Sequence, residues 1–537
     1  MGHGSVHESV RAGAGMVASP HHLATEAGRA VLEEGGNAIE AALAAAAAIA
    51  VVYPHMNHLG GDGFWLIRDA KGRVAYIEAA GPAGAKATPA FYRERGYDEL
   101  PTRGALAALT VPGQVGGWKL AGEIATALGG KMPVRRLLEA AIAHARAGAP
   151  VSASQHRHTA QKKAELAPVP GFAATFLDEK GEAPAIGALL RQTRLADTLE
   201  QLGRAGLGDF YRGDVARELA ADLDHAGSPV TRADLDGYEA VRRPPLTVTL
   251  PTLRLWGSPP PTQGLATLMI LALFAKLGVT EPESFAHIHG LIEATKRAFL
   301  IRDRVVTDFN RVKEEPAEFL TTLALEREVA AIDMGRALPW PHKAAPGDTI
   351  WLGAADRHGT LVSYIQSIYW EFGSGLVLPG TGVLMQNRGT SFSLDPKALN
   401  PLEPGRRPFH TLNPGMAELA DGRLVAFGCM GGEGQPQTNA AVMSRYALHG
   451  VPLGDAVARP RWLLGRTWGS PSTTLKLEDG FDGALAERLE RAGHEVEMLG
   501  AAEVDSFGHA GAVVIHPTKG GVEGTHDPRA DGGAAGI

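Results

Sequence analysis

The stretch that decides the fold runs from residue 348 to residue 432 and opens with Asp348-Thr349-Ile350-Trp351-Leu352. It passes through Phe372-Gly373-Ser374-Gly375 and Asn387-Arg388-Gly389, and it closes on Gly431-Gly432. Thr349 opens a run that is typical of a β-strand, directly after a Pro346-Gly347-Asp348 turn. If the peptide bond before Thr349 were broken, its hydroxyl would become a nucleophile and its new α-amine the base. An internal threonine cannot do this, so the chain would first have to cut itself.

The same residues also have a simpler interpretation. A threonine in a strand is usually just a β-branched residue on a pleated face. Glycine at the upstream bend can take the strained backbone that an N-to-O acyl shift requires, and Gly431-Gly432 could offer two backbone N–H groups to an oxyanion. A Gly-Gly pair is more often a simple turn. Taken alone, these residues favour the simpler interpretation.

Outward from this stretch, the hydrophobic pattern predicts strands, then helices, then strands again. Strands are expected at 16–19, 64–68, 74–78, 350–355, 361–368, 382–386, 424–428 and 512–516. Helices are expected at 22–34, 38–50, 134–147, 185–202, 215–223, 264–277, 285–302 and 484–492. This order favours an antiparallel sheet pair covered by helices on both outer faces over a doubly wound parallel sheet.

Composition excludes several classes of protein. The 537 residues are 45% hydrophobic and 21% charged, as in a folded soluble protein, and the net charge of −7 makes nucleic acid or an anionic membrane an unexpected partner. Cys429 is the only cysteine, so neither an internal disulfide nor a four-cysteine zinc site can form. The start lacks the regions of a signal peptide, and the apolar run from Ala38 to Val52 is too short to span a bilayer. We therefore expect a cytoplasmic protein.

Other catalytic signatures are missing from the sequence. The paired histidines at 21–22, 55 and 58, 156 and 158, and 287 and 289 include no helical His-x-x-x-His pair with a nearby carboxylate, so we expect no catalytic metal. Gly60-Gly61-Asp62-Gly63 precedes a strand, which argues against a dinucleotide site, and there is no Gly-x-Ser-x-Gly elbow. No cofactor is expected.

A series of short motifs, in one order along the chain, resembles the γ-glutamyltranspeptidase family of self-processing N-terminal-nucleophile hydrolases. Each motif is weak alone, but the shared order from about residue 15 to 535 is specific. The matching pieces are Gly35-Gly36-Asn37-Ala38, Gly60-Gly61-Asp62-Gly63-Phe64, Val111-Pro112-Gly113, Asp234-Leu235-Asp236-Gly237-Tyr238, Pro259-Pro260-Pro261-Thr262-Gln263-Gly264, Phe372-Gly373-Ser374-Gly375, Arg407-Pro408 and Gly524-Thr525-His526-Asp527-Pro528-Arg529.

This resemblance implies an α+β fold, a four-layer αββα sandwich. It implies cleavage between Asp348 and Thr349 into a large fragment, 1–348, and a small one, 349–537, which stay together; a dimer of such heterodimers is left open. Thr349 would be the nucleophile, Ser367 the second hydroxyl that assists it, and Gly431 and Gly432 the oxyanion hole.

The chain departs from the family where a γ-glutamyl head would be held. Glu78 stands where those enzymes carry an arginine for the α-carboxylate. Their amino-group ligands, an asparagine and an aspartate, are replaced by Tyr369 and Ser391, and two serines by His410 and Thr411. A glutamyl head would leave its buried charges poorly paired here. Glutathione is therefore not the substrate that we expect.

Arg388, beside Asn387, is a new cation near the expected site. It could hold a substrate carboxylate bidentately, or it could form an internal salt bridge with Glu78 or Glu371. Bulky Tyr369 and Trp370 suggest a small pocket, and Asn387, Arg388, Ser391, Tyr369, His410, Thr411 and Glu78 are our candidate substrate-binding residues. Three further motifs are similar to the oxamate amidohydrolase branch of the family. They are His21-His22-Leu23, Tyr53-Pro54-His55-Met56-Asn57 and Gly61-Asp62-Gly63-Phe64-Trp65.

The sequence therefore predicts a self-processing amidohydrolase that cleaves the amide of a small carboxylate-bearing substrate such as oxamate. Two alternatives remain. One is a γ-glutamyl transferase or hydrolase with a rearranged head clamp. The other is a non-catalytic family scaffold that never cleaves and serves as a binding protein.

Overall fold

The computed structural model describes residues 7–340, 348–465, 473–500, 505–517 and 520–537. The Pro346-Gly347 part of the expected turn lies outside these residues. In chain order the strands are β1 (Val10–Ala12), β2 (Met16–Ser19), β3 (Asp62–Arg68), β4 (Val74–Ala79), β5 (Ala149–Pro150), β6 (Leu189–Leu190), β7 (Val241–Arg243), β8 (Leu246–Thr249), β9 (Leu253–Gly257), β10 (Asp348–Ala355), β11 (Leu361–Tyr369), β12 (Gly415–Leu419), β13 (Leu424–Cys429), β14 (Trp462–Leu464), β15 (Leu475–Glu478), β16 (Val496–Leu499), β17 (Ala510–Ile515), β18 (Val522–His526) and β19 (Gly533–Gly536).

The α-helices are α1 (His22–Glu33), α2 (Ala38–Val52), α3 (Pro89–Arg93), α4 (Gln114–Ala127), α5 (Val134–Leu137), α6 (Glu139–Ala147), α7 (Ala153–Leu166), α8 (Phe172–Phe176), α9 (Thr193–Ala205), α10 (Asp209–Arg212), α11 (Asp214–Ala226), α12 (Arg232–Asp236), α13 (Gly264–Leu277), α14 (Phe285–Val305), α15 (Thr322–Ala330), α16 (Gln435–Met443), α17 (Leu453–Ala458) and α18 (Gly483–Arg491). Short 3-10 turns include Arg388–Ser391 and Gly432–Gly434. No helix in the described part of the chain is long and apolar enough to cross a membrane.

Two seven-stranded sheets form the centre of the molecule. Their strand orders are β1-β18-β17-β13-β12-β9-β8 and β19-β2-β10-β11-β3-β4-β7. Every neighbouring pair in both sheets is antiparallel. The antiparallel sheet pair expected from the order of elements is confirmed.

Alternation along the strands divides the hydrophobic residues between three cores. Trp65 and Ile67 on β3 pack with α2 and its neighbouring helices on one outer face. Phe64 and Leu66, their neighbours in sequence, instead pack between the two sheets, because successive side chains of a strand point to opposite faces. Helices α13, α14 and α16 cover the outer face of the other sheet. This is the predicted four-layer αββα sandwich.

Trp351 sets the spacing of the sheets next to Thr349. Its indole is fully buried and donates from Nε1 to Oγ of Ser363 at 3.0 Å. It lies against Gly428 and Gly511 of the facing sheet, where an added Cβ would come within 2.1 and 2.4 Å of the ring. Only glycine fits at these two positions. The contact brings the start of β10 close to the end of β13, where Gly431 follows.

One expected helix starts too early, and one expected strand is wrong. Residues 185–190 are not helical, because Gly187 takes a φ of +82° and Leu189–Leu190 form strand β6; the helix begins at Thr193. Residues 382–386 form only isolated bridges, with Gly382 at a φ of +68°. The expected helix over 134–147 is split into α5 and α6. Strands β7 to β9 were not anticipated in the helical middle of the sequence.

Candidate active site

Thr349 lies at the start of β10, where the pairing with β11 is irregular. Asp348 is opposite Tyr369 and Ile350 is opposite Gln366, so the register shifts across Thr349. The side chain shares the inner face of the sheet with Trp351 by alternation, and only 1% of it is exposed. The threonine is therefore held at the end of the inter-sheet core.

A pair of amide side chains fixes the Thr349 hydroxyl. Nε2 of Gln435, the first residue of α16, donates to Oγ1 of Thr349 at 3.3 Å. Nδ2 of Asn413 donates in turn to Oε1 of Gln435 at 3.0 Å. Both amides are buried, and Oδ1 of Asn413 accepts a hydrogen bond from Thr267 at 2.6 Å. The sequence does not indicate these linked amides, although Gln435 follows Gly431-Gly432 by only a few residues.

Gly431 and Gly432 form the turn between β13 and α16. Their φ angles are +127° and +54°, in the region that favours glycine. Neither backbone N–H donates a hydrogen bond within the described residues. The turn is fixed from behind, because Nε2 of Gln263 donates to the Gly432 and Thr411 carbonyl oxygens at 2.9 Å each. Two unused N–H groups beside a strand end are what an oxyanion needs.

Gln263 is itself held in place by a hydrogen bond from the charged side chain of Arg302. Its Oε1 accepts a hydrogen bond from Nη1 of Arg302 at 2.9 Å, and Nη2 of Arg302 binds Glu433 at 2.9 Å. Gln263 belongs to the proline-rich motif at 259–264, which the sequence marks without revealing its role. Arg302 thus connects α14 to the glycine turn.

A second support of the glycine turn comes from the segment at 505–509. The N–H of Met430 donates to the His509 carbonyl at 3.0 Å. Asp505 accepts hydrogen bonds from His509 at 2.9 Å and His158 at 3.2 Å, and it also pairs with Arg157. Burial opposes the charge of Asp505, but hydrogen bonds from His158 and His509 keep its pKa well below the ordinary value. This buried network ties α7 to the end of β13.

Ser367 lies on β11, directly across from Asp62 of β3. Its Oγ accepts a hydrogen bond from the backbone N–H of Tyr369 at 2.8 Å. Tyr369 has a φ of +83°, which is unusual for a bulky residue and indicates local strain. The serine hydroxyl therefore sits at the strained end of β11, next to the start of β10.

Arg388 is a buried cation without a carboxylate. The side chain is 1% exposed, and its guanidinium lies 3.7 Å above the centre of the Tyr369 ring. Nη2 donates to Oγ1 of Thr411 at 3.3 Å, whereas Nη1 has no hydrogen-bond partner in the described structure. Burial lowers the pKa of Arg388 to about 10.

The salt-bridge alternative for Arg388 is wrong, because both proposed partners are engaged elsewhere. Glu78 is bound by Arg243 at 2.6 Å and by Arg407 at 2.8 Å. Glu371 lies 3.8 Å from both His158 and Lys162. Among the described residues Arg388 forms no ion pair. Glu78 balances two arginines, and burial raises the pKa of its carboxyl.

His410 lies beside Asp62, and the charge of Arg388 acts on it. The imidazole is fully buried and packs edge-on against Phe64, with ring centres 4.9 Å apart. Its Nε2 is 3.2 Å from Oδ2 of Asp62, yet the two atoms are not aligned as a hydrogen bond. Burial and the charge of Arg388 lower the pKa of His410 to about 4, so the ring is neutral at pH 7. Nothing in the sequence points to Asp62 beyond its glycine-rich surroundings.

The side chains of Asn387 and Ser391 bind the backbone. Asn387 accepts from the N–H of Trp370 at 3.1 Å and donates to the Thr102 carbonyl at 3.0 Å. The hydroxyl of Ser391 donates to the carbonyl of Arg388 at 3.0 Å. These contacts shape the turn that carries Arg388.

One group in the described residues has the composition of a metal site. His289, Glu293 and His494 are buried, with potential ligand atoms within 4.8 Å of one another. The two histidines already bind each other at 2.9 Å, and Lys296 balances Glu293 at 2.7 Å. A cation would have to compete with that ammonium group. The residues of this cluster are paired with one another and with Lys296.

Comparison with known proteins matches the whole chain. The family model described as Gamma-glutamyltranspeptidase matches residues 24–537. The oxamate amidohydrolase proenzyme of Klebsiella pneumoniae subsp. pneumoniae is 51% identical over 97% of this chain and 98% of that protein. The glutathione hydrolase-like YwrD proenzyme of Bacillus subtilis is 37% identical over the same shares. A crystal structure of cephalosporin acylase from Bacillus halodurans superposes with a TM-score of 0.90 at 32% identity, covering 100% of this chain and 98% of that one.

Proposed function

Because the chain belongs to the γ-glutamyltranspeptidase family and is an amidohydrolase of it, we propose that it hydrolyses the amide of a small carboxylate-bearing substrate, such as oxamate. The chain first cuts itself between Asp348 and Thr349. Fragments 1–348 and 349–537 then remain together through the shared sheets, since β10 pairs with β2 on the other side of the cut.

Self-cleavage is supported by the place of Thr349 in the strand pairing and by the description of relatives as proenzymes. Oγ1 of Thr349 attacks the carbonyl carbon of Asp348, and the C–N bond breaks as the nitrogen takes a proton. The resulting ester is hydrolysed by water, which leaves a carboxylate on Asp348 and a free α-amine on Thr349. A single hydroxyl thus serves both maturation and catalysis.

In the mature enzyme the α-amine of Thr349, with an ordinary pKa of about 7.7–8.0, takes the hydroxyl proton as Oγ1 attacks the substrate carbonyl. The N–H groups of Gly431 and Gly432 stabilise the oxyanion. Ammonia or an amine leaves with that proton, and water hydrolyses the acyl-enzyme. Gln435 holds the hydroxyl in position, and Ser367, near the end of the neighbouring strand β11, serves as the second hydroxyl that assists it.

The substrate class rests on one observation, the unpaired guanidinium of Arg388. A buried cation is costly unless a counter-charge and hydrogen bonds accompany it. A substrate carboxylate would supply the direct hydrogen-bonded partner that Nη1 of Arg388 lacks, with the imidazole of His410 nearby. Relatives named for glutathione hydrolysis support the γ-glutamyl alternative. Against it, the carboxylate of Glu78 is occupied by two arginines and leaves no acid there for an α-amino group.

Two measurements test the proposal. On a denaturing gel the purified chain should give bands of roughly 37 and 20 kDa, in proportion to fragment length in the 56.4 kDa chain. The processed enzyme should release ammonia from oxamate faster than from glutamine, and it should leave a γ-glutamyl anilide intact. A single uncut band with no activity would favour the binding scaffold, and preference for the γ-glutamyl compounds would favour the glutamyl enzyme.

A further inference from the structure

Three charged or titratable side chains are buried together at one end of the candidate site. Asp62, His410 and Arg388 are each at most 1% exposed. Four of their atoms have no hydrogen-bond partner in the described structure: Oδ2 of Asp62, both ring nitrogens of His410 and Nη1 of Arg388. Buried polar atoms in folded proteins are nearly always paired. Four unpaired polar atoms in one place therefore indicate that the substrate supplies the missing hydrogen-bond partners.

The charges of this group sum to zero when no substrate is bound. Oδ1 of Asp62 accepts hydrogen bonds from the N–H groups of Gly81 at 3.0 Å and Gly113 at 2.9 Å, which holds the carboxylate in place. Its negative charge balances Arg388, and the imidazole of His410 is neutral.

The other groups near His410 do not change this balance. Arg407 and Arg243 are matched by Glu78 and by Asp308, whose Oδ2 binds the backbone N–H of Arg407. The loop that packs on the His410 backbone contributes the uncharged Pro261, Thr262 and Gln263. Any carboxylate that enters therefore brings one negative charge in excess.

Resting on the carboxylate substrate proposed above, we propose that Asp62 and His410 couple substrate binding to the uptake of one proton. As the substrate carboxylate pairs with Arg388, the imidazole takes a proton from water, and the sum of charges returns to zero. An imidazolium has two donors. Nε2–H faces Asp62 at 3.2 Å, and Nδ1–H is left for the substrate carboxylate. Asp62 is thus a specificity residue that acts through His410.

This coupling has a defined pH signature. The pKa of His410 is about 4 without substrate, and a bound carboxylate raises it. Between these two pKa values the bound state holds one more proton than the free enzyme, so binding weakens as pH rises. KM for oxamate should therefore increase by roughly tenfold per pH unit in that window, because one proton is taken up. The measurement is KM of the self-processed enzyme between pH 5 and 8.

The matched variant is Asp62→Asn, which keeps an acceptor oxygen for Gly81 and Gly113 but removes the charge. Arg388 is then balanced by the substrate alone. We expect KM to be flat with pH and lower than that of the unchanged enzyme at pH 8. Asp69→Asn is the control, since Asp69 follows the same strand and accepts the N–H groups of Lys71 and Arg73 in a surface turn. It should keep the original slope.

A slope that persists in Asp62→Asn, or a flat profile in the unchanged enzyme, would overturn the coupling. Acetate, which cannot be cleaved, provides a readout that does not depend on hydrolysis. Its thermal stabilisation of the processed protein should fall as pH rises, and it should be insensitive to pH in Asp62→Asn. If oxamate is not hydrolysed but acetate behaves in this way, the proposed reaction fails and the coupling stands. If acetate stabilises neither protein at any pH, the coupling fails.

Discussion

The two ends of the candidate site differ in how their hydrogen bonds are completed. At the nucleophile end, the supporting side chains satisfy one another, and the N–H groups of Gly431 and Gly432 are left for the oxyanion: Gln435 binds Thr349, Asn413 binds Gln435, and Gln263 holds Gly432. At the Arg388 end, polar atoms of buried side chains remain open. A closed network positions a group before substrate arrives, whereas an open one gains its partners from the substrate. The nucleophile end is therefore suited to carrying out the reaction, which the family shares. The Arg388 end is suited to selecting the substrate.

The largest effect is expected at the nucleophile end. Thr349→Ala removes the hydroxyl that both cleaves the chain and attacks the substrate, so the protein should remain a single band with no amidase activity. Thr349→Ser keeps a hydroxyl and should still mature and turn over, at lower rates. Gel electrophoresis and ammonia release measure the two steps separately. If Thr349→Ala still cleaved itself, the nucleophile would have to be another residue.

At the other end, Arg388→Met should leave maturation intact while it removes the anchor of the carboxylate. Loss of one partner of a buried charge pair costs about 2–5 kcal/mol, or roughly thirtyfold to several thousandfold in kcat/KM for oxamate. Arg388→Lys should fall between, because an ammonium cannot form a bidentate pair. Both fragments should appear on the gel in each variant. Unchanged kcat/KM in Arg388→Met would show that the carboxylate binds elsewhere.

A smaller effect is expected when one hydrogen bond of the network around Thr349 is removed. Gln435→Ala removes one hydrogen bond to Thr349, worth about 0.5–1.5 kcal/mol, and should slow self-cleavage and kcat by roughly twofold to tenfold. Gln437→Ala is the matched control on the same helix, since this buried amide binds the backbone of Leu464 and, among the described residues, makes no hydrogen bond to Thr349. It should cost stability and leave both rates unchanged. Equal slowing in the two variants would mean that α16 as a whole matters, not the contact to Thr349.

The sequence predicts the nucleophile end of the site better than the Arg388 end. Thr349 and Gly431-Gly432 are visible because a strand start and a glycine pair leave local patterns, and the αββα layers follow from hydrophobic period and element order. The sequence marks Arg388 as a departure from the family. That it forms no direct ion pair among the described residues is visible only in the structure, where Glu78 and Glu371 lie beside other cations.

Contacts between residues far apart in sequence could not be predicted. Asp62 meets His410, and Gln263 meets Gly432, across segments that no periodicity connects. The close approach of Trp351 to Gly428 is of the same kind, because a glycine in a strand looks like a weak position until the facing sheet is in place. Such contacts depend on how the two sheets pack.

The smallest effect on activity is expected behind the nucleophile end, at Asp505. Its pKa is held below the ordinary value by His158 and His509 against the effect of burial, so it stabilises the fold above the unfolded pKa of about 3.9 and loses this contribution as pH falls. Asp505→Asn should therefore lower the melting temperature at pH 7 and flatten its decline below about pH 4. The residue supports Met430 only through His509, so kcat of the folded variant at pH 7 should stay within about twofold, well below the effect of losing a reacting group. A much larger fall in kcat, with both fragments present, would place Asp505 among the groups that set the geometry of the oxyanion turn.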